Sequence, residues 1–142
     1  MASKMYILVK DSVPPGFAIV AAAHASLGGY LHFVDKERSS WMERDRDVAT
    51  GRKTAAEDWA DSSFSKAVCS VTGDQFEEAK TYGVAGEDYR VMTESALAHA
   101  EVVIVFRPRD DWEPFFKSLP LWGKGQILVI DGLSVPVPHT TA

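Results

Sequence analysis

Apolar positions recur along the chain at two spacings, and the spacings mark its elements. Tyr6-Ile7-Leu8-Val9-Lys10 is a short β-branched run that reads as a strand. Pro14-Pro15 behind it suit only the first turn of a helix, so a helix starts near Pro15 and runs to about Leu31. Phe17, Val20, His24, Leu27 and Leu31 fall three or four apart on one face of it. Ile19, Ala22, Ala23, Ser26 and Tyr30 form a second row. A helix apolar on two rows is predicted to be mostly buried, more so than any other helix of the chain. Its many small residues, Ala18, Ala21 and Ala25 among them, let the backbone approach a sheet closely. Strand, loop and helix read as the first unit of an α/β sheet.

Asp35 to Ser63 is the most polar stretch, and its charges alternate in sign, as in Glu43-Arg44-Asp45-Arg46-Asp47. That pattern reads as a solvated helical face, broken near Gly51 and anchored by Trp41 and Trp59. Thr54 and Glu57 have the spacing of a capping box, as do Thr72 and Gln75. Phe64 to Val71 alternates and reads as strand two, with its buried face undecided. A helix follows from Thr72 to about Tyr82, with Gly83 suited to its C′ position. Tyr89 to Met92 is a short third strand, and Val102 to Phe106 is a continuous apolar fourth, suited to a sheet interior. Pro108 ends it, and Asp110 or Asp111 is expected to cap a helix through about Ser118, with Pro114 in the first turn. Gln126 to Ile130 and Leu133 to Val137 read as a hairpin on an Asp131-Gly132 turn, with Pro136 and Pro138 at an edge.

The first strand, the loop holding Asp11 and Gly16, and the small-residue helix with His24-Ala25 resemble the start of the peptidyl-tRNA hydrolase II family. The family pattern runs strand, Asp, a Gly-Lys segment, Ala-Ala-Gln, two small residues, then His-Ala. Gly16, the alanines, His24 and Ala25 match it. Counted back from His24, the family's lysine and glutamine fall on Phe17 and Ala21. Helical structure with a tryptophan before strand two, and the strand-cap-helix unit after it, also match, so the resemblance covers about residues 5 to 122. It implies a three-layer α/β/α domain, residues 1–122, around a mixed sheet of four strands near 6–10, 65–71, 89–92 and 102–106. Residues 123–142 would then be a C-terminal β-hairpin extension.

A chain of 142 residues is the size of one domain, and 46% hydrophobic with 25% charged residues is an ordinary globular composition. No uninterrupted apolar run reaches the ~18 residues of a membrane span, so none is expected. Lys4 has no long apolar stretch behind it, which argues against a signal peptide, and a cytoplasmic location is the expectation. Cys69 stands alone, excluding an internal disulfide and a cysteine-based metal site. The net charge of −5 argues against a broadly basic nucleic-acid surface.

His24 is the first candidate for chemistry: either a site histidine near the carboxyl end of strand one, or a histidine packed between helix and sheet. Thr93 and Glu94, with Ser95 and His99 near them, form the second group. The family's loop between its last two strands carries Asp-Ala-Gly-Arg-Thr, whose Asp and Thr are implicated in catalysis. Counting back from Pro108 sets Arg90 to Glu94 over that motif, and Thr93 or Glu94 would substitute after a shift of a few residues. The plainer reading of this stretch is a polar loop. Asp11 either orients a site group or caps the next helix. Arg44, Arg46, Arg52 and Lys53 offer phosphate contacts, though the acids between them favour a solvated face. No phosphate-binding glycine loop, metal pair or nucleophile elbow is present, so no cofactor and no metal are expected.

Two functions follow. One is an enzyme hydrolysing the ester of peptidyl-tRNA or N-acyl-aminoacyl-tRNA, built on His24, Asp11, Thr93 and Glu94, with tRNA as partner in that case alone. The other is a relative that has lost catalytic positions and uses the fold as a binding or interaction module. The missing lysine, glutamine and Asp-Gly favour the second. A homodimer is expected in either case, through the edge that Ile127 to Ile130 would expose.

Overall fold

Two buried strands at the middle of a mixed sheet set the geometry of everything else. The structure, a computed structural model, describes residues 3–44, 51–123, 127–130, 132–136 and 139–140. Its elements are β1 (Lys4–Lys10), α1 (Pro15–Arg44), α2 (Ala55–Asp61), β2 (Ser65–Val71), α3 (Gly73–Ala79), β3 (Tyr89–Glu94), β4 (Ala100–Phe106) and α4 (Pro114–Lys117). The sheet order is β2-β1-β4-β3. β1 lies parallel to β2, in register from Lys4 against Ser65 to Lys10 against Val71. β4 is antiparallel to both β1 and β3. β1, β2 and β3 therefore run in one direction, and their carboxyl ends share one end of the sheet. The continuous apolar run of β4 sits in the interior, as its sequence predicts.

Alternation along β1 sends Met5, Ile7 and Val9 to one face, and Tyr6 and Leu8 to the other. The first face receives α1. Ala18, Ala21, Ala25 and Phe33 are buried there. A Cβ on Gly29 would stand 2.8 Å from Val105 Cγ2, so glycine is what lets the helix backbone come this close.

This corrects the expected burial of α1. The row Phe17, Val20, His24, Leu27 and Leu31 is exposed, and so is Ile19. Only one face of a helix can meet a sheet, and the face with the shortest side chains allows the closest approach. The bulky rows are left outside. α1 also runs on to Arg44, because nothing between Leu31 and Arg44 is a glycine or proline that would stop it. The polar stretch thus begins as its last turns rather than as a separate helix. By length and composition alone α1 is apolar enough to cross a membrane, yet its small-residue row is committed to the sheet.

α2 is tied to α1 by charge and by its cap. Thr54 and Glu57 form the expected capping box. Arg38 donates to both oxygens of Glu57 at 2.7 and 2.8 Å, and the Ala55 N–H donates to Glu37. The Thr54 backbone N–H first, and then Arg38, hold the Glu57 carboxyl below its usual range. Trp59 is buried with its Nε1 donating to Ser65 O at 2.8 Å, the anchoring role the sequence suggests.

The opposite face is aromatic. Tyr6 meets Trp112 at 4.6 Å between centroids, and Phe116 meets Phe106 at 4.9 Å and Trp112 at 4.8 Å. Ala67, Cys69 and Val71 give β2 its buried side, with Phe76 and Ala79 of α3 over them. The Thr72–Gln75 capping box is present, and α3 tightens to a 3₁₀ turn at Lys80–Tyr82. The expected helix after Pro108 is corrected to the single turn of α4, with Glu113 at its N-cap in place of Asp110 or Asp111. Trp112 is buried in the aromatic cluster and donates to Arg109 O, which holds the preceding residues out of a helix.

Beyond α4, Pro120 to Trp122 runs along the outer edge of β2, accepting from the Ser70 N–H and donating to Val68 O. Ile127–Ile130 pairs antiparallel with Leu133–Pro136 in a separate ladder, and Thr140 bridges back to Pro120. Gln126, Asp131, Val137 and Pro138 lie outside the described residues.

Candidate functional site

The carboxyl ends of β1, β2 and β3 gather most of the residues singled out in the sequence. Open α/β sheets bind ligands at that end, where the loops leave the strands. Asp11 follows β1 directly, and its N–H donates to Val71 O at the end of β2. Its side chain is exposed and does not cap α1, because the first helical bond runs from the Ala18 N–H to Pro14 O. Thr93 and Glu94, expected in a loop, are the last two residues of β3. A register shift between Met92 and Thr93 leaves Val102 without a strand partner, and this bulge lengthens the pairing past Met92.

Glu94 turns inward on its own loop. It caps the 3₁₀ turn Ser95–Leu97 by accepting from the Ala96 N–H at 3.1 Å. The His99 N–H donates to Glu94 O, and Ala98 and His99 both hold positive φ, 57° and 58°. Two adjacent non-glycine residues in that region are uncommon, and the turn that stores this strain closes the end of the sheet.

His24 is elsewhere. It lies nine residues into α1, roughly 14 Å along the axis at 1.5 Å per residue. Its side chain is exposed, on the flank away from the sheet, so neither the packed nor the loop-adjacent reading describes it. Among the described residues no hydrogen bond or ion pair joins His24 to Asp11, Thr93 or Glu94. Asp11, Thr93 and Glu94 share one end of the sheet, and His24 does not close a catalytic arrangement with them. Phe17 and Ala21, the positions aligned with a lysine and a glutamine, offer no polar group, and Ala21 is buried in the core.

Other chemistry is closed off. Burial pushes the Cys69 thiol up to about 12, so it is no nucleophile at neutral pH. No group of three or more metal-ligating side chains forms among the described residues. Lys53 pairs with Asp61 at 2.6 Å, and the Arg52 guanidinium lies 4.1 Å from the Trp41 ring, so both basic residues have local partners. Arg46 lies outside the described residues, and so does the Arg44 side chain.

Two features escape a reading of the sequence. The first is a polar cleft of about 410 Å³ under the second half of α1, where Lys36, Glu37 and Trp41 face Asp88 and Arg107. Arg107 pairs with Asp88 at 3.2 Å along the wall that faces α1. Burial raises the Asp88 carboxyl, but the Val84 N–H and Arg107 outweigh it and leave the group below its usual range. The second is an apolar groove of about 470 Å³ between α1 and α2, lined by Leu27, Tyr30, Trp59 and Phe64. Phe64 has φ 49°, an outlier for a bulky residue, and its ring stands exposed at the rim with Lys66 Nζ 3.2 Å from the centroid. The sequence signal was available in part: Leu27 belongs to the bulky row of α1, and Ser62-Ser63-Phe64 follows a helix end. No family model and no curated protein matches the chain.

Proposed function

We propose that the chain is a peptidyl-tRNA hydrolase II-like protein with degenerate catalytic positions, working as a binding or interaction module. The observation that carries the reading is the face α1 turns to solvent. Between Pro15 and Val34 the helix has no charged residue, and Phe17, Val20, Leu27 and Leu31 of that span are exposed. Binding surfaces take this form, whereas hydrolysis needs a base, a positioned water and an oxyanion donor within reach of one another. Loss of one such donor costs ~10²–10³ in rate, and here Phe17 and Ala21 replace two polar positions of the resembled family. A net charge of −5 adds no attraction for tRNA phosphate.

The finer architecture belongs to the same proposal. The separate cores on the two sheet faces support a three-layer α/β/α domain. The β5–β6 ladder, formed by Ile127–Ile130 and Leu133–Pro136, supports a hairpin extension over residues 123–142. The test is incubation of the purified protein with peptidyl-tRNA. No release of the peptide above the buffer rate is expected. Clearance at an enzyme's rate, lost in His24→Ala, would restore the hydrolase reading.

A further inference from the structure

We infer that the exposed face of α1 is a self-association seam, and that its occupant is the α1 of a second copy laid antiparallel across it. The inference rests on the interaction reading and gives it a partner. Phe17, Val20, His24, Leu27 and Leu31 repeat at three and four residues, the spacing by which helices interdigitate along a seam. Phe17 is 36% exposed, Val20 43%, Leu31 57%, Leu27 62%, and Ile19 beside them 70%. With Phe64 at the groove rim they expose on the order of 600 Å² of apolar surface. That lies at the top of the ~300–600 Å² range for the largest apolar patch of an ordinary monomer and approaches the ~800 Å² per partner of a standard interface.

The chemistry of the face selects the occupant. A two-fold interface must be complementary to itself, and an uncharged apolar strip is, since it sets no like charges against each other. Parallel pairing would bring Asp35, exposed four residues beyond Leu31 on the same side of α1, close to its copy. Antiparallel pairing separates the two and sets helix ends of opposite polarity together. The groove beside Leu27 gives side chains of the partner helix a recess. A lipid surface fits less well. Helices that lie on membranes carry Lys and Arg around the apolar face, and α1 has none before Lys36, on a chain of net charge −5. His24 lies at the centre of the strip, so a polar ring sits near the two-fold axis and weakens the seam it marks.

Sedimentation velocity of the full chain over micromolar to hundred-micromolar concentrations tests this. A dimer is expected, and Leu27→Asp with Leu31→Asp should weaken it about 100-fold or more, because each copy then buries unpaired carboxylates. Both positions are exposed, so circular dichroism should be unchanged. His24→Leu is expected to tighten the dimer several-fold, and it keeps the test decisive if the double variant misfolds. A chain that stays monomeric, a dimer indifferent to the two aspartates, or a monomer that instead binds phosphatidylcholine vesicles would overturn the seam. The peptidyl-tRNA assay is independent: a dimer that hydrolyses keeps the seam and loses the proposed function, and an inactive monomer does the reverse.

Discussion

The two faces of the sheet solve the same packing problem in opposite ways. On one face a long helix lies close through Ala18, Ala21, Ala25 and Gly29, and the large side chains of its first half, Phe17, Val20, Leu27 and Leu31, point outward. On the other, a one-turn helix and extended segments place Trp112, Phe116 and Leu119 inward against Tyr6 and Phe106. Large apolar residues on the aromatic face are therefore structural, and those on the outer row of α1 are free for contact with something else. Apolar character alone does not separate the two groups; the distance from backbone to sheet does.

That contrast breaks most visibly at Phe116, which is fully buried among five rings. Phe116→Ala should cost about 3–5 kcal/mol, read as a lowered urea midpoint at unchanged slope. A loss below about 1 kcal/mol would mean that the aromatic face collapses around the gap, and the contrast would fail there.

Gly29→Ala sharpens it from the other side. Alanine gains about 1 kcal/mol in helix propensity, but its Cβ would meet Val105 at 2.8 and 2.9 Å. Overpacking of that kind costs about 1–3 kcal/mol, so a net loss of up to about 2 kcal/mol is expected. Stabilisation instead would show that α1 does not depend on close approach.

The smallest effect belongs to the exposed row. Leu27→Ser should change the stability of the dilute monomer by no more than about 0.5 kcal/mol, measured by the same urea titration. The same substitution in a core leucine such as Leu8 would cost several times more. Equal costs at the two positions would place Leu27 in a core.

What the sequence made legible is what local chemistry decides. The continuous run Val102 to Phe106 is an interior strand, and both capping boxes form as their spacing predicts. The gathering of Asp11, Thr93 and Glu94 at one end of the sheet was not legible, since it depends on the order and direction of strands far apart in the chain. The burial of α1 was not legible, because two of its rows are apolar and a third is small. Which row meets the sheet depends on Val105 and Met92, remote in the chain. Thr93 and Glu94 belong to a strand because of a bulge opposite them, a feature of pairing rather than of either residue. His24 was the least legible candidate, since its place on the exposed flank follows from the same choice of row.

Methyl NMR of the full chain at increasing concentration tests the central claim most directly, since it reads both faces at once. The methyl signals of Val20, Leu27 and Leu31 are expected to shift or broaden as concentration rises, while those of Leu8 and Leu119, buried on the aromatic face, stay fixed. Signals of Val20, Leu27 and Leu31 that do not change with concentration, or changes confined to Ile127 to Ile130, would contradict it.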